Sequence, residues 1–349
     1  MNFEIEKKSF LAAPPFWRTR IAEIEEEAAR FKHSDHGVIG TSAGGRPIHC
    51  FAYGRKEDLK PTATFSSAIA SGNPSAFVNP KGRGKPVLMI VGAIHGQEVE
   101  GTAAAMNLLS VLERGVDLRG KPWPRLAEIA HELRIVVVPL ANPDGRERIP
   151  INNMIGGSVD DVHYYGQGVT KDGKLLTWPE VKQWQPIPLD MVSLLGGYYN
   201  DLGVNVQHDD FVVNPAPETR ALLALAKSEL PDVVVMLHGC GNAPTFTGTE
   251  RFLPDPYRAR QAHLEAVVLY RLQREGFAAI PPRVEPVAGF GFHLALFMAS
   301  GCVPLCFELP HGLEIKPFTF DDILDIGLIG FEEIVSFGRE FGYRPRTVV

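Results

Sequence analysis

The sequence predicts an α/β protein in which a β-sheet is flanked by helices on both faces. Apolar runs of strand length alternate along the chain with segments whose apolar residues recur at helical spacing. The 349 residues suffice for one large domain or two ordinary ones. Because no internal repeat and no Gly/Ser-rich linker marks a boundary, we predict one catalytic domain over residues 1–349.

Five apolar runs predict the strands of this sheet. They cover residues 48–53, 86–94, 134–140, 232–237 and 302–309. Each is short and bounded by turn or polar residues, which is typical of buried strands rather than of helices.

Helical periodicity separates or follows these runs. Trp17, Ile21, Ile24, Ala28 and Phe31 recur at steps of three and four, which predicts an amphipathic helix over about residues 15–32. Further helices are predicted near residues 98–114, 217–229, 257–275 and 321–340.

The stretch 151–200 is rich in Gly, Pro and Asp and has little periodicity. It is too long for a plain connection, so we predict a long loop or a small inserted subdomain, and a role in specificity.

Composition excludes several classes of protein. Hydrophobic residues make up 45% and charged residues 22% of the chain, which is ordinary for a soluble globular protein. The formal net charge is -6 and no dense basic run occurs, which argues against nucleic-acid binding. No apolar stretch is long enough to span a membrane. The N-terminus lacks the pattern of a signal peptide, so we expect a cytoplasmic location and no membrane partner.

The four cysteines do not form a metal or redox motif. Cys302 and Cys306 are four residues apart in an apolar run, which is not CxxC spacing. We expect buried free thiols, including Cys50 and Cys240.

A histidine and a carboxylate follow the second predicted strand. His95 and Glu98 lie three residues apart where the run 86–94 ends and a helix begins, a position at which α/β proteins place their sites. His238 directly follows the strand 232–237. Any one of these residues alone is more often structural. Together they predict a two-histidine, one-carboxylate site for one Zn²⁺ per chain, with a fourth position open for water. A similar set also suits iron or manganese.

Three more polar residues follow predicted strands. Glu308 ends the apolar run 302–309, where a carboxylate needs a partner or a function, and we assign it as the general base. Arg146 and Arg148 follow the turn Asn142-Pro-Asp-Gly145. Either arginine is a candidate to stabilise an oxyanion or to bind a carboxylate.

At this point the sequence resembles the zinc carboxypeptidase family of the carboxypeptidase A and B type, as an atypical member. The motifs that carry the resemblance, in family order, are Ser42-Ala-Gly-Gly-Arg-Pro-Ile48, His95-Gly-Gln-Glu98, Asn142-Pro-Asp-Gly145, Pro217-Glu-Thr-Arg-Ala221, His238 and Glu308. The resemblance implies a twisted, mixed, roughly eight-stranded sheet with one zinc at the strand ends. It also implies His95, Glu98 and His238 as metal ligands and Glu308 as general base.

The family's residues for binding a substrate's terminal carboxylate are replaced in this chain. Gln207 and His208 stand where the family has asparagine and arginine, and Asn205 replaces the aspartate that orients the first zinc histidine. Phe290 and His293 occupy the region of the family's substrate-binding tyrosine. We therefore predict Gln207, His208, Phe290 and His293 as substrate-binding residues.

These replacements change the expected specificity. Losing the arginine removes a bidentate clamp for a carboxylate, and His208 binds an anion only when protonated. Asp209 and Asp210 add negative charge nearby, which predicts a cationic or neutral substrate end.

The leading functional hypothesis is a mononuclear zinc hydrolase of amide or peptide bonds, carboxypeptidase-like, acting on a peptide or an N-acyl amino acid. Two alternatives of the same class are an aspartoacylase-like deacylase of N-acyl amino acids and an amidase of cell-wall peptides. An alternative of another class is a zinc-binding protein without turnover. The sequence predicts no oligomeric state.

Overall fold

The centre of the fold is a twisted, mixed sheet. The computed structural model describes residues 10–78, 84–241, 243–282 and 289–345. Over these ranges the main sheet has seven strands in the order β1-β2-β4-β3-β7-β9-β8, and β5 pairs with β6 in a separate two-stranded sheet. The strands are β1 Asp35–Thr41, β2 Pro47–Tyr53, β3 Val87–Gly92, β4 Arg134–Val138, β5 Gly168–Thr170, β6 Val192–Leu195, β7 Val233–Cys240, β8 Thr245–Phe246 and β9 Val303–Pro310.

Helices cover both faces of the main sheet. They are α1 Ile21–Ala28, α2 Phe65–Ala70, α3 Val99–Arg114, α4 Pro124–Ala130, α5 Pro143–Arg148, α6 Val159–Gly166, α7 Pro217–Glu229, α8 Asp255–Arg274, α9 Phe292–Ser300 and α10 Phe320–Phe341. Helices α3, α4 and α8 pack against α10, whereas α7 packs against α9. The predicted α/β fold class is therefore confirmed.

The parallel strands β4, β3, β7 and β9 lie side by side. Every residue of β3 and β4 is buried. Strands covered on both faces have continuous rather than alternating apolar sequences, which is why these runs could be recognised. All five predicted strands occur, with ends that differ by a few residues at most.

The structure differs from expectation in the number of strands and in the length of α1. The main sheet has seven strands in the described ranges rather than the roughly eight that the resemblance implied. The segment 151–200, predicted as a long loop or a small inserted subdomain, contributes β5 and β6 to a small sheet of its own. Helix α1 is shorter than the predicted 15–32, and Glu23 defines its start. The Glu23 carboxylate accepts the backbone N–H of Thr19 at 2.7 Å and of Arg20 at 2.9 Å.

The apolar face of the N-terminal segment packs against the body of the fold. Trp17 is 2% exposed, and its ring lies edge-on to Phe320 with centroids 4.9 Å apart. The four cysteines are free, and three of them are buried. Across the described residues, no helix combines the length and the apolar character needed to cross a membrane.

Candidate metal centre

The predicted metal ligands and the predicted base meet at one edge of the sheet. Strands β3, β7 and β9 are parallel, so their carboxyl ends lie together. The loop after β3 carries His95 and leads through Glu98 into α3. On the neighbouring strands, His238 of β7 lies directly opposite Glu308 of β9. The topology therefore brings together four residues that span more than 200 positions of sequence.

Glu98 lies between the two histidines. Its Oε1 is 2.8 Å from Nδ1 of His95, and its Oε2 is 3.0 Å from Nδ1 of His238. One ligand atom from each of the three residues lies within 4.8 Å of the others. All three side chains are buried. Three donors thus converge on a point that one metal ion can occupy.

The donor set fits zinc. Two imidazoles and one carboxylate are a typical ligand set of catalytic zinc sites. Oε2 of Glu98 is buried, and its approach to His238 lacks the geometry of a hydrogen bond. A buried carboxylate oxygen without a hydrogen bond is costly unless a cation or donor compensates it. A metal ion between Glu98 and the two Nδ1 atoms would supply that compensation.

The electrostatics of His95 and Glu98 suit metal binding, whereas His238 must lose a proton before it can ligate a metal. Burial lowers the pKa of His95, which favours the neutral ring. Burial alone would raise the pKa of Glu98, but the adjacent His95 and His238 more than offset this and lower it. Burial also acts to lower the pKa of His238, whereas Cys306 and Glu98 raise it well above its ordinary value. An ionised carboxylate beside a neutral imidazole is the state that metal ligation requires.

Two residues fix the ring of His95. Its Nε2 lies 3.2 Å from Oδ1 of Asn205, so with Nδ1 directed at the metal position, Nε2–H donates to that amide oxygen. The ring of Tyr198 stacks on the face of the His95 ring, with centroids 3.9 Å apart and planes inclined by 22°. Asn205 therefore occupies the orienting position without the negative charge of an aspartate.

Close backbone packing explains the glycines around His95. The N–H of Gly96 donates to the carbonyl of Gly197 at 2.7 Å. A Cβ on Gly96 would lie closer than 3.0 Å to the backbone of Gly145 and Arg146. A Cβ on Gly145 would likewise lie closer than 3.0 Å to the backbone of Gly197. Ala93, just before the loop, has a φ of 44°, a strained conformation for a residue with a side chain. Three chain segments therefore cross tightly here and hold the His95 loop in place.

Glu308 is suited to transferring a proton. It is partly accessible in the site, and its desolvation raises the pKa of the carboxyl to about 7, with Glu98 adding to the effect and His238 opposing it. A pKa near the working pH is what a general base needs. Cys306 lies two residues earlier on the same face of β9, and ligand atoms of His238, Cys306 and Glu308 also lie within 4.8 Å of one another.

The structure does not bring the two predicted arginines to the ligands. The Arg146 guanidinium donates to Ile151 O at 2.8 Å and to Asn152 Oδ1 at 2.6 Å, and burial together with a nearby arginine lowers its pKa to about 9. Arg148 donates to Gly196 O at 2.8 Å and also contacts Tyr199 and Asp201. Their hydrogen bonds join α5 to surrounding loops, and the oxyanion role of either arginine stays a prediction.

Of the predicted substrate-binding residues, Gln207 and His293 are buried, whereas Phe290 is exposed. Nε2 of Gln207 lies 3.0 Å from Nδ1 of His293, whose other ring nitrogen contacts the buried Glu250. Gln207 and His293 are each 6% exposed, so they form an internal network. Phe290 is 43% exposed and packs against Phe211, with ring centroids 5.8 Å apart.

In the structure, His208 is largely shielded from solvent, and its two acidic neighbours are hydrogen-bonded within their own loop. Burial, assisted by the charge of Lys182, lowers the pKa of His208 to about 3, so the ring is neutral near pH 7. Asp209 accepts hydrogen bonds from Ala216 N and the Thr219 hydroxyl. Asp210 accepts the N–H groups of residues 212–214. Both carboxylates stabilise the loop that leads to α7, and the expected preference for a cationic or neutral substrate end stays a prediction.

Sequence reasoning missed two residues near the site. Tyr198 lies in the stretch 151–200, which has no periodicity from which its position could be inferred. Cys306 could have been found, because a residue two positions before Glu308 on a strand faces the same side of the sheet.

Part of this chain matches the sequence model of a known protein family. The sequence model of the zinc carboxypeptidase family matches residues 23–156, a range that includes His95 and Glu98. No curated protein matches the sequence significantly.

Solved structures extend the likeness to nearly the whole chain. A metallo-carboxypeptidase from Burkholderia cenocepacia superposes with a TM-score of 0.58 at 14% identity, over 92% of this chain and 68% of that one. Carboxypeptidase A from Helicoverpa armigera gives a TM-score of 0.55 at 14% identity, over 93% of this chain and 74% of that one. A metallo-carboxypeptidase from Pseudomonas aeruginosa, in complex with (2-guanidinoethylmercapto)succinic acid, gives a TM-score of 0.53 at 14% identity. The match covers 91% of this chain and 68% of that one.

The predicted resemblance to the zinc carboxypeptidase family is confirmed. At such low identities the solved structures establish the shared fold, whereas the family match covers the part of the chain that contains the first two candidate ligands. The chain is thus zinc-carboxypeptidase-like in sequence motif and in architecture.

Proposed function

We propose that this protein is a mononuclear zinc hydrolase of amide or peptide bonds. The observation that carries the proposal is the convergence of His95, Glu98 and His238 within 4.8 Å, with Glu308 directly opposite His238 on the next strand. Zinc over iron or manganese is favoured by the ligand types and by the family match. Residues 1–349 would act as one catalytic domain, with 151–200 as an insertion beside the site.

The ligands would hold the ion, which when bound polarises the substrate carbonyl and makes water more acidic. Glu308 would take one proton from the attacking water. The water oxygen forms the new bond to the carbonyl carbon, and the bond from that carbon to nitrogen breaks. Glu308 would then deliver its proton to the leaving nitrogen, which restores the carboxylate.

The protein's own residues would contribute mainly by positioning. Asn205 and Tyr198 hold the ring of His95 in one orientation, and the glycine contacts around Gly96 hold the loop. A rigid ligand set keeps the carbonyl and the base in a reactive arrangement. The aromatic side chains of Phe211 and Phe290 lie together and would contact the substrate.

Turnover on a panel of peptides and N-acyl amino acids, with and without a chelator, tests the proposal. We expect chelator-sensitive release of an amino acid or peptide, restored by added zinc. Hydrolysis of N-acyl amino acids alone would favour the deacylase, and hydrolysis of cell-wall peptides alone would favour the amidase. Stoichiometric zinc without turnover on any substrate would indicate a binding protein instead. The cytoplasmic location expected from the sequence stays a prediction.

A further inference from the structure

Two buried titratable side chains, Glu100 and His311, form a pair outside the ligand set. Nδ1 of His311 is 3.1 Å from Oε1 of Glu100. Glu100 is fully buried and His311 is 1% exposed. Among the described residues, neither carboxylate oxygen of Glu100 has a hydrogen bond. Because a buried carboxylate is costly without compensation, we expect the adjacent His311 ring to carry the positive charge that stabilises it.

Both members of this Glu100–His311 pair lie close in sequence to residues of the candidate centre. Glu100 is in the first turn of α3, two residues after the candidate ligand Glu98. His311 directly follows β9, three residues after the candidate base Glu308. The pair therefore joins the segment that carries a ligand to the segment that carries the base.

The strand that carries the ligand His238 lies against the same pair. A Cβ on Gly239, the next residue, would lie closer than 3.0 Å to Oε2 of Glu100 and to the ring of His311. A residue without a Cβ is therefore needed where the pair meets β7. The N–H of His311 donates to the carbonyl of Cys240 at 2.8 Å, which holds His311 next to this strand. One buried contact thus touches all three of the segments that meet at the centre.

We propose that Glu100 and His311 are positioning residues, and that their contact fixes Glu98, His238 and Glu308 relative to one another. This inference deepens the proposed function and rests on it, because it concerns the same metal centre. Ligands and base act together only when they are held within about 0.5 Å of the productive arrangement. The pairing of β7 with β9 already holds His238 opposite Glu308. Glu98 lies outside that ladder, and the Glu100–His311 pair links its helix to the ladder.

A pair with a purely structural role would stabilise the fold without affecting the metal. The chain offers a matched control in Arg134 and Glu229, whose Nε and Oε2 atoms are 3.0 Å apart and whose side chains are 6% and 7% exposed. Arg134 begins β4, at the opposite end of the parallel strands from the candidate centre. Glu229→Gln therefore removes one charge from a similarly buried pair away from the metal ligands.

Zinc affinity, measured by chelator competition on the purified protein, tests the inference without turnover. Glu100→Gln keeps the shape of the side chain and removes its charge. Changes to groups that position metal ligands typically weaken metal binding by about 10- to 100-fold. We expect a loss of that size in Glu100→Gln and in His311→Asn, together with a changed visible spectrum of the Co²⁺-loaded protein. At saturating zinc, kcat on a hydrolysed peptide should fall while KM changes little.

A double variant, Glu100→Leu/His311→Phe, keeps the test decisive if the single variants do not fold. Removing one charge leaves the other buried and unpaired, whereas replacing both by apolar residues of similar volume often leaves stability unchanged. We expect the double variant to fold and to bind zinc about 10- to 100-fold more weakly than wild type. Wild-type zinc affinity and an unchanged Co²⁺ spectrum in the folded single or double variants would overturn the inference.

The control variant and the wild type separate the remaining outcomes. Glu229→Gln should unfold at a lower urea concentration and keep its zinc affinity; an equal loss of zinc affinity there would overturn the inference, because lower stability would then be the cause. Weaker zinc binding in the Glu100 and His311 variants of a protein that hydrolyses no substrate would support the positioning role and overturn the proposed function alone. Hydrolysis by wild type, with unchanged zinc affinity and kcat in those variants, would overturn the positioning role alone.

Discussion

Replacing Glu308 by glutamine should abolish hydrolysis while leaving the metal bound. Glutamine has nearly the same shape as glutamate, so the pairing of residue 308 with His238 between β9 and β7 is expected to persist. His95, Glu98 and His238 are untouched by the change. The amide, however, cannot take a proton from water at neutral pH.

The size of the expected rate loss in Glu308→Gln follows from the absence of a substitute base. Loss of a positioned general base typically lowers the rate by about 10²- to 10⁴-fold, or roughly 3 to 5.5 kcal/mol of barrier. Glu98 is the other carboxylate of the site, but its two histidine neighbours lower its pKa, so it is a poor proton acceptor. We therefore expect a loss toward the upper end of that range.

The assay is kcat/KM on a hydrolysed peptide as a function of pH, with zinc measured by elemental analysis. Desolvation raises the pKa of Glu308 to about 7, and a bound cation acts to lower it, so the wild-type rate should fall as pH drops below neutrality. Glu265→Gln is the matched control, since Glu265 is a buried carboxylate outside the site. Full activity in Glu308→Gln with stoichiometric zinc would refute the assignment of Glu308 as base.

Three further predictions test the ligands, the loop and a buried carboxyl. His238→Ala should lose stoichiometric zinc in elemental analysis, because one of three converging donors is removed. Gly96→Ala should lower the free energy of unfolding by about 1 to 3 kcal/mol in urea titrations and weaken zinc binding, because its Cβ would meet the backbone of Arg146. Glu265 has both carboxylate oxygens buried without hydrogen bonds, and burial raises its pKa to about 8. The folded state therefore favours the protonated acid, so its stabilising effect is full below the ordinary pKa of 4.5 and is lost as pH rises to about 8. Glu265→Gln should accordingly be more stable than wild type by about 3 to 5 kcal/mol above pH 8 and similar to it below 4.5, by urea unfolding.

Each of these predictions has its own control or contrary result. His49→Ala removes a buried histidine on β2 and should retain zinc; equal zinc in His238→Ala would contradict the ligand assignment. Gly37→Ala places a Cβ in open space on β1 and should cost little, so an equal loss there would mean that the contacts at Gly96 are not the cause. A stability difference between Glu265→Gln and wild type that does not change with pH would show that Glu265 is not protonated in the folded protein.

The residues that could be predicted share one property: each follows an apolar run. His95, Glu98, His238 and Glu308 come directly after or at the end of strands that are recognisable from composition alone. In a parallel sheet such positions meet at one edge, and because β3, β7 and β9 are neighbours in the sheet, the four residues come together.

The roles of the arginines and acidic residues could not be predicted in this way. Arg146 follows the β4 strand just as the ligands follow theirs, yet its guanidinium turns to Ile151 and Asn152. Asp209 stands in the family's substrate-binding stretch, yet its carboxylate accepts hydrogen bonds from Ala216 and Thr219. The direction of a side chain in a loop depends on which backbone groups need partners, and the sequence does not contain that information.

The sequence by itself determined the α/β class, the buried strands and the four residues of the candidate centre. Hydrophobic periodicity is a local property, so it can be recognised without knowing the fold. Only the tertiary structure decided what surrounds that centre. Tyr198 stacks on His95 from about one hundred residues away, and Gln185 pairs with the backbone of Asn205, whose side chain contacts His95. The physical reason is that an aperiodic segment such as 151–200 takes its path from the surface it packs on, and that surface exists only once the sheet has formed.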